Sequence, residues 1–458
     1  MCAKYKVITD RVENLLSYLQ PLLPLANCHT VDYFSKDIYQ KYIPKNIQEE
    51  MKEAGEENIA SNIFNNDYRI LPNLLEYVEE CRRLSLSNCP EVCMGTREFQ
   101  EKLKEWGCED FLRLKLEIFM TSKKSHEVDV LSFIAAAVRS IAKTSHVIDI
   151  GDGKGYLSSM LAMHHKVPVL GVDASATNTN GAVKRVQKLS RVWNSVVNAQ
   201  NKTRETTADL YKQVTQFVHE DINFSELISN VFLEKPGGLS LVGLHTCGNL
   251  AASSLRIFSE NEDIKTICNV GCCYHLITEE FENNPNLGLS KCGFPLSEYL
   301  KQRRIVIGRA ARMIAAQSVE RILAKKELPN KTIFYRALLE VLIERKCNSL
   351  SKNQRHVGRF RKECTDLNDY VRQATKRLNL EEKITDEEIA ELYEQYKARM
   401  DELNNFYLIR CMLSSLIESL ILLDRLLFLH EAGHENSFLV QLFDPVVSPR
   451  CYGLIALK

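Results

Sequence analysis

A strand that ends in a glycine-rich turn constrains this chain more than any other segment. The run Val147–Ile150 is apolar apart from Asp149. Glycines then occupy every second position, at Gly151, Gly153 and Gly155, before a helical pattern begins. Glycine permits positive φ values and leaves no Cβ in the way, so backbone N–H groups can approach a ligand closely. The segment predicts a sheet strand followed by a turn that binds a nucleotide-like cofactor.

Short apolar runs continue to alternate with helical stretches along the chain. The further runs are Pro168 to Val172, Gln216 to Val218, Leu239 to Leu244 and Ile264 to Val270. Strands that alternate with helices predict a parallel sheet with helices on both faces. Two later runs, Ser437 to Phe443 and Tyr452 to Leu457, can complete that sheet. We therefore predict an α/β fold with a Rossmann-like, doubly wound sheet.

Helical spacing of apolar residues dominates on both sides of the main sheet region. It predicts a helical N-terminal domain over 1–119 and a large helical insertion over 286–430. The sheet domain is divided between 120–285 and the final strands over 431–458. The helices predicted within the insertion are Leu300 to Lys326, Thr332 to Arg345, Asp366 to Leu378, Asp386 to Asn404 and Tyr407 to His430.

Charge and cysteine content limit the environment of the protein. The 59 Lys plus Arg residues equal the 59 Asp plus Glu residues, so a charged partner must be met by a local patch. Fifteen cysteines without a secretion signal indicate a reducing compartment, and we expect a cytoplasmic or nuclear protein. The apolar stretch Leu413 to Leu429 is broken by Glu418, Asp424 and Arg425, which predicts a buried helix and no membrane span.

The turn and the carboxylates at three strand ends favour S-adenosylmethionine as the cofactor. A dinucleotide fingerprint needs glycine at Tyr156, whereas G-x-G-x-G after an acidic strand is the pattern of S-adenosylmethionine-dependent methyltransferases. Asp173 is placed to accept hydrogen bonds from ribose hydroxyls. We expect Asp149 near the methionine moiety and Asp221, with Ile222 beside it, near the adenine. A solvated turn carboxylate is the alternative for each Asp.

Histidine, cysteine and tyrosine side chains cluster at the ends of the fourth and fifth predicted strands. They are His245 and Cys247 after one strand, and Cys272, Cys273, Tyr274 and His275 after the next. Neighbouring parallel strands open onto one ligand crevice, so these are predicted catalytic residues near the methyl donor. A histidine base, a pocket wall, a cysteine nucleophile, a zinc site and simple packing remain open. The spacings H-x-C and C-C-x-H are not C-x-x-C pairs, so no metal is predicted.

Two basic stretches of the insertion are candidates for RNA contact. Lys301 to Lys326 holds eight basic residues against one acid, and Arg345 to Lys362 holds seven and no acid. Basic surfaces of this kind bind phosphate groups. A solvated face is the alternative, since the acidic run Glu381 to Glu402 can neutralise the basic residues within the protein.

Five motifs along the chain are specific as a set. They are MTSKKSHEV from Met120 to Val128, the strand and turn from Val147 to Gly155, LHTCG from Leu244 to Gly248, GCCY from Gly271 to Tyr274, and FDPVVSPR from Phe443 to Arg450. Together they resemble the methyltransferase-like protein 25 family, some members of which are labelled ribosomal RNA adenine dimethylase domain proteins. The resemblance spans most of the chain and implies a Rossmann-like S-adenosylmethionine methyltransferase domain. It also implies that Lys123, Lys124, His126 and Glu127 are pocket residues.

The motifs H-x-C-G and C-C-x-H also resemble those of eukaryotic tRNA 2′-O-methyltransferases that act in the acceptor stem, which favours an RNA ribose hydroxyl as the acceptor. The fourth strand lacks the Asp/Asn-Pro-Pro-aromatic motif of amino-group methyltransferases, so an amine acceptor is not supported. We therefore predict an S-adenosylmethionine-dependent methyltransferase that acts on RNA, at a ribose hydroxyl or a base. A methyltransferase of a translation-related protein and a non-catalytic cofactor-binding scaffold are the alternatives.

Overall fold

Short apolar runs of the chain pair into one eight-stranded sheet. The computed structural model describes residues 3–108, 117–196, 207–282, 291–347, 350–360, 362–380 and 383–458. The strands are β1 (Cys93–Gly95), β2 (His146–Ile150), β3 (Val169–Asp173), β4 (Tyr211–Thr215), β5 (Leu239–Cys247), β6 (Ile264–Cys272), β7 (Ser437–Gln441) and β8 (Tyr452–Leu457). Their order in the sheet is β1-β7-β8-β6-β5-β2-β3-β4.

The sheet is mostly parallel. β2 lies between β3 and β5 and is parallel to both, while β4 and β6 continue the parallel pairing outwards. β8 pairs antiparallel with β6 and with β7. The predicted Rossmann-like α/β fold is confirmed, including the last two strands that complete the sheet after the helical insertion. The carboxyl ends of β2, β3, β5 and β6 meet at one edge, where ligands bind in sheets of this kind.

The two edges of the sheet differ from the prediction. The predicted strand Gln216 to Val218 is wrong, because β4 is Tyr211–Thr215 and Gln216 follows it. β4 has one buried residue, Tyr211, and its other residues are partly or fully exposed, so its sequence contains no apolar run. The three-residue strand β1, which pairs with β7, was not predicted and is too short to show a periodic pattern.

Helices make up most of the remaining described chain. Those before β2 are α1 (Ala3–Leu19), α2 (Leu23–Asn27), α3 (Ile38–Tyr42), α4 (Lys45–Ala54), α5 (Glu56–Asn65), α6 (Pro72–Leu84), α7 (Thr96–Glu105) and α8 (Ser122–Ile141). Those after β2 are α9 (Tyr156–Met163), α10 (Ala176–Val196), α11 (Phe224–Phe232), α12 (Leu250–Glu260), α13 (Glu298–Gln302), α14 (Arg309–Ile314), α15 (Val319–Lys325), α16 (Thr332–Lys346), α17 (Leu367–Leu378), α18 (Asp386–Tyr396) and α19 (Met400–Glu431).

The chain divides into two compact units. The sheet unit consists of Met1–Tyr18, Arg83–Ser318 and Ser415–Lys458, and the helical unit consists of Leu19–Arg82 and Val319–Ser414. The helical unit therefore takes residues from both the predicted N-terminal domain and the predicted insertion. This division is a different one from the four predicted segments, which stay a prediction.

Polar contacts join the early and late parts of the helical unit. The Tyr33 hydroxyl donates to Glu402 Oε1 at 2.9 Å. Within the early part, the Tyr39 hydroxyl donates to Glu56 Oε1 at 3.0 Å. Asn405 Nδ2 donates to Glu56 Oε2 at 2.8 Å. Hydrogen bonds of this kind satisfy buried polar groups between helices far apart in the sequence.

The basic stretch Lys301 to Lys326 does not form the single predicted helix, and that prediction is wrong. It contains the end of α13, then α14 and α15, and the chain turns between the first two through Arg304 at φ 51° and Gly308 at φ 91°. The Ile307 and Gly308 N–H groups donate to the Glu279 carboxylate at 2.7 and 2.9 Å. This buried carboxylate satisfies the backbone N–H groups of the segment between α13 and α14, and so stabilises the interruption of the helix.

Arg312, on α14, pairs with the same buried carboxylate. Its Nε donates to Glu279 Oε1, and its Nη2 donates to Glu282 Oε2 at 3.2 Å. The side chains of Arg312 and Glu279 are 2% and 0% exposed. Arg312 is thus a core residue of the sheet unit, although it lies in the basic stretch Lys301 to Lys326 that was predicted to contact RNA.

Among the described residues, one helical segment is long and apolar enough to cross a membrane. It is Asp386–Glu431, and 83% of its most apolar 18-residue window is buried inside the structure. It contains the stretch Leu413 to Leu429, in which Asp424 and Arg425 are buried. Burial to this extent is typical of a core helix.

Removal of the Glu279 carboxylate should destabilise the sheet unit strongly. A buried guanidinium that loses its partner costs about 3–5 kcal/mol, so we expect Glu279→Ala to lower the unfolding temperature by several degrees in differential scanning calorimetry. Glu327→Ala is the control, because Glu327 is about half exposed and its ion pairs to Arg321 and Lys325 are 3.8 Å long. That change should stay within about 0.5 kcal/mol of wild type. Equal effects of the two substitutions would contradict the role of Glu279.

Candidate active site

Three glycines turn the chain out of β2. Gly151, Gly153 and Gly155 have φ values of 71°, 61° and 67°, in the left-handed region that favours glycine. A Cβ at Gly155 would overlap the Tyr211 hydroxyl, and one at Gly151 would lie 3.3 Å from the Leu250 side chain. The turn therefore requires its glycines both for backbone conformation and for close packing.

Two carboxyl groups lie beneath this turn. Ser158 Oγ lies within hydrogen-bonding distance of both, 2.8 Å from Asp149 Oδ2 and 2.6 Å from Asp152 Oδ1, and the Tyr211 hydroxyl donates to Asp152 Oδ2. Burial, together with the charge of Asp152, raises the pKa of Asp149 well above its usual range, and burial also raises the pKa of Asp152. Asp149 is 2% exposed and supports the turn from below, so its contact with a methionine moiety stays a prediction.

Asp152 and Tyr211 were not identified from the sequence. Asp152 stands between two glycines of a turn, a position that usually points to solvent, and Tyr211 belongs to the strand that the sequence misplaced. The signal available was Gly155 itself, since a glycine that starts a helix at positive φ often marks close packing of another side chain.

A cavity of about 730 Å³ opens at the carboxyl ends of β2, β3 and β5. Its lining includes four of the predicted site residues, which are Gly151, Asp173, Asp221 and Cys247. Pockets that hold cofactors and other small molecules have volumes of about 300–1,000 Å³. The structure thus brings glycine turn, strand-end carboxylates and one cysteine to a single cavity of suitable size.

Asp173 fixes the glycine turn as well as lining the cavity. Its Oδ2 accepts a hydrogen bond from the Gly153 N–H at 3.0 Å. Its Oδ1 accepts from the Ser175 N–H at 2.8 Å and from Asn178 Nδ2 at 3.1 Å. A carboxylate has about four acceptor positions, so one remains on Oδ2 for a ligand hydroxyl.

Aromatic side chains form another part of the cavity wall. Phe217 lines the cavity, is 63% exposed, and has its ring centroid 4.7 Å from that of His219. Ile222 lines a neighbouring cavity of about 390 Å³, which shares Phe217, His219 and Asp221 with the first. Sequence reasoning missed Phe217 as a site residue because it assigned this segment to a strand.

Ion pairs hold a further carboxylate of the cavity wall, Glu220. Arg256 Nη1 and Lys291 Nζ lie 2.8 and 2.7 Å from its two oxygens. Ser253 Oγ donates to the same side chain at 3.3 Å. Two cations compensate the charge of Glu220, so this carboxylate acts as a fixed wall between the end of β4 and α12.

Glu127, on α8, is a buried carboxylate with three partners from different parts of the chain. Its Oε2 lies 3.3 Å from His245 Nε2, and its Oε1 accepts from Ser448 Oγ at 2.6 Å and lies 3.5 Å from Lys123 Nζ. Burial alone would raise the pKa of Glu127, but the contacts with His245, Ser448 and Lys123 outweigh it and lower this pKa to about 2. Glu127 is therefore ionised and lies within ion-pair distance of His245.

Three cysteine sulfurs converge at the ends of β5 and β6. Cys247 and Cys272 are register partners in the two strands, and their Sγ atoms lie 3.2 Å apart. Cys273 Sγ lies 3.5 Å from that of Cys247 and 3.8 Å from that of Cys272. The hydrogen-bonding contacts with Cys272 and Cys273 lower the pKa of Cys247 to about 6 although burial opposes the shift. Cys247 is therefore the most acidic of the three thiols, because the pKa values of the other two are raised.

Known proteins resemble this chain at the level of both domain and full length. Residues 123–280 match the family model described as a methyltransferase domain. The probable methyltransferase-like protein 25 of Mus musculus is 30% identical, over 98% of this chain and 96% of the mouse protein. The probable methyltransferase-like protein 25 of Homo sapiens is 29% identical over the same shares of the two chains.

The chain belongs to the methyltransferase-like protein 25 family. The matched domain begins at Lys123 and ends just after β6, so it contains the glycine turn, Glu127 and the three cysteines. The chain carries a methyltransferase domain, and its identification from the five motifs is confirmed.

Two pocket residues implied by the methyltransferase-like protein 25 resemblance have contacts of their own. Lys124 Nζ lies 4.8 Å from the ring centroid of Tyr156, which follows the glycine turn, and burial lowers the pKa of Lys124. His126 Nε2 accepts a hydrogen bond from the Asp444 N–H at 3.2 Å, and its ring packs against Phe443. Lys124 thus lies beside the turn, whereas His126 holds the motif between β7 and β8.

Tyr274 and His275 lie outside the group of three cysteine sulfurs and differ in their surroundings. The Tyr274 side chain is 1% exposed, and its hydroxyl donates to Glu418 Oε1 at 2.7 Å in the core. His275 is partly exposed, and its Nδ1 has no hydrogen-bond partner among the residues that the structure describes. The structure therefore groups His245 with Glu127 and the three cysteines with one another, while Tyr274 belongs to the core and its catalytic role stays a prediction.

Substitution of Glu127 should reveal the stability stored in its ionised form. The folded-state pKa of about 2 lies below the usual 4.5, so this stability is fully present above about pH 5 and is lost as the pH falls towards 2. The shift corresponds to about 3 kcal/mol. We expect Glu127→Gln to lower stability by that order at pH 7, and the difference from wild type to shrink between pH 5 and pH 3.

Chemical denaturation at several pH values measures this difference. Glu226→Gln is the matched control, since Glu226 is exposed on α11, and it should change stability by less than about 0.5 kcal/mol. A Glu127→Gln variant as stable as wild type at pH 7 would refute the assignment.

Proposed function

We propose that the protein is an S-adenosylmethionine-dependent methyltransferase of the cytoplasm or nucleus that methylates a hydroxyl group of RNA. The observation that carries the proposal is the cavity at the carboxyl ends of β2, β3 and β5, which is lined by Gly151 of the turn and by Asp173 and Asp221. Bound there, S-adenosylmethionine supplies an electrophilic methyl group on a sulfonium.

The residues of the cavity fit this cofactor. Gly151 and Gly153 leave the turn without a Cβ, and Asp173 Oδ2 keeps acceptor capacity for a ribose hydroxyl. The exposed ring of Phe217 offers an apolar surface to an adenine, beside Asp221 as a hydrogen-bond acceptor. The glycine turn, Asp173 and Asp221 would hold the cofactor, and Cys247 lies on the same cavity wall.

Loss of the Asp173 carboxylate should weaken cofactor binding. We expect Asp173→Ala to raise the dissociation constant of S-adenosylmethionine at least tenfold in isothermal titration calorimetry, because it removes an acceptor and releases the Gly153 N–H. Asp209→Ala is the control, since Asp209 is exposed before β4 and does not line the cavity. Unchanged affinity of Asp173→Ala would remove this carboxylate from the cofactor site.

His245 is positioned to act as the general base. Glu127 Oε2 lies 3.3 Å from Nε2, so the carboxylate is next to this nitrogen, and Nδ1 is the nitrogen assigned to the acceptor. The His245 side chain is 35% exposed at the end of β5, so an acceptor can reach it. The buried carboxylate also stabilises the imidazolium that forms when the acceptor hydroxyl loses its proton.

The His245→Ala variant should separate catalysis from cofactor binding. General base catalysis is worth about 10²–10⁴ in rate, so we expect kcat to fall by about 10² or more while S-adenosylmethionine affinity stays within about twofold. Wild-type turnover by His245→Ala would exclude His245 from the mechanism.

An RNA acceptor is supported by cations close to the site. α14 packs against the residues that follow the cysteine cluster, and Arg309 and Arg304 are exposed at and just before this helix. Arg304 lies 4.8 Å from the Phe281 ring centroid, an arrangement of guanidinium and aromatic ring that suits nucleic acid. The buried Arg312 does not contribute to this surface.

A protein acceptor is the second candidate. Basic residues of one predicted RNA-contact stretch form ion pairs within the chain, which leaves fewer cations for phosphate groups. In the stretch Arg345 to Lys362, Lys346 pairs with Glu388, and Arg355 pairs with Glu340 at 2.6 Å. Leu276 and Met313 are 54% and 58% exposed next to the site, as at surfaces that dock a polypeptide.

Transfer of a labelled methyl group decides between the two acceptors. Purified protein is incubated with S-adenosyl-[methyl-³H]methionine and an extract from cells that lack the protein. The label is then apportioned between ribonuclease-sensitive and protease-sensitive material. Label in RNA supports the proposal, and label in protein replaces it with the second candidate. Cofactor binding without any labelled product would support a non-catalytic scaffold.

A further inference from the structure

We infer that Cys247, Cys272 and Cys273 form a binding site for one Zn²⁺ ion, with the fourth coordination position open to the cavity. The three sulfurs form a group in which every pair is within 3.8 Å. The inference does not depend on the proposed acceptor or on S-adenosylmethionine.

The sulfur positions match a zinc site closely. Zinc binds thiolate at about 2.3 Å in tetrahedral geometry, which places two thiolate ligands about 3.8 Å apart. The pair Cys272 and Cys273 already has this separation, and the other two pairs, at 3.5 and 3.2 Å, need to open by a few tenths of an ångström. Thiolates are soft ligands that select zinc over magnesium or calcium.

The backbone at Cys273 is turned in the way that such a site requires. Successive side chains of a strand point to opposite faces, so adjacent cysteines do not normally meet. Cys273 has φ 49°, in the left-handed region that a cysteine rarely adopts, and this turn brings its sulfur next to that of Cys272. Strain of this kind costs about 1–3 kcal/mol and is concentrated at functional sites.

A buried cation faces the cluster from the core. The Arg425 side chain is 1% exposed, and none of its three guanidinium nitrogens has a hydrogen-bond partner among the described residues. A Cβ at Gly271, the residue before Cys272, would overlap Arg425 Nη1. A buried guanidinium is costly unless negative charge lies nearby.

The charge of a zinc–thiolate site would compensate Arg425. Three thiolates and one divalent ion carry one net negative charge. Asp424 and Glu418 interact with Arg425 through their charge, but their oxygens accept hydrogen bonds from Leu296, Ser297 and Tyr274. Thiolates of the metal site would add negative charge beside a guanidinium that has no hydrogen-bond partner among the described residues.

The fourth position faces the cavity. Cys247 is exposed and lines the cavity, whereas Cys272 is buried. Among the described residues, no fourth histidine, cysteine or carboxylate joins the group of potential ligands. Three protein ligands with one open position are the arrangement of catalytic zinc sites, in which water or a substrate atom completes the coordination.

Metal analysis of the full-length protein tests the site. Protein purified with a phosphine reductant and without chelator should contain about one zinc per chain by inductively coupled plasma mass spectrometry. Replacement of zinc by Co²⁺ should produce the near-ultraviolet absorption of cobalt–thiolate bonds. Both signals should be lost in Cys272→Ser and in Cys273→Gly, and both should persist in the control Cys292→Ser, whose thiol is outside the group.

Cys273→Gly keeps the test decisive if Cys272→Ser fails to fold. Glycine adopts φ 49° without strain, so this variant should be at least as stable in calorimetry as metal-free wild type while it loses a sulfur ligand. Wild-type protein that retains neither Zn²⁺ nor Co²⁺ after loading and desalting under reductant would overturn the inference. A folded Cys273→Gly variant that binds as much metal as wild type, with the same cobalt spectrum, would overturn it too. Because the readout is metal content, either result leaves the proposed methyl transfer unaffected.

Discussion

One buried carboxylate, Glu127, holds together the segments that build the candidate active site. It contacts Lys123 on its own helix, His245 at the end of β5, and Ser448 between β7 and β8, which is 321 residues away along the chain. An ionised carboxylate removed from water costs several kcal/mol unless its partners compensate it. These contacts must therefore form together. The last segment of the chain is consequently part of the site, and not only an addition to the sheet.

The central strands and the turn could be predicted from the sequence because each is constrained on all sides. β2 is buried along its whole length, and such strands read as continuous apolar runs. The glycine turn and Asp173 follow from the same logic, since parallel strands bring their carboxyl ends to one edge. Among the described strands, the edge strand β4 pairs with β3 alone and needs no apolar run, so the sequence does not reveal its position, nor Tyr211 and Phe217 as site residues.

Side-chain direction and pairing could not be predicted, because both depend on contacts between distant segments. Tyr274 follows the cysteines directly, yet its hydroxyl reaches Glu418 on α19 in the core. Arg312 stands in a strongly basic stretch, yet Glu279 buries it and interrupts the helix that the stretch was expected to form. A one-dimensional pattern contains the charge of such residues. It does not contain the partner that decides whether the charge is solvated, paired or catalytic.

The three cysteines show the same limit for metal ligands. The sequence predicts no zinc site, because neither H-x-C nor C-C-x-H is a usual pair of zinc ligands within one segment. The structure assembles the sulfurs differently, through the register that sets Cys247 opposite Cys272 and through the left-handed conformation of Cys273. The register follows from packing of the whole β5–β6 pair, and the conformation is local strain that must be offset elsewhere. A bound ion would offset this strain directly, and its thiolates would add negative charge beside Arg425, whose guanidinium has no hydrogen-bond partner among the described residues.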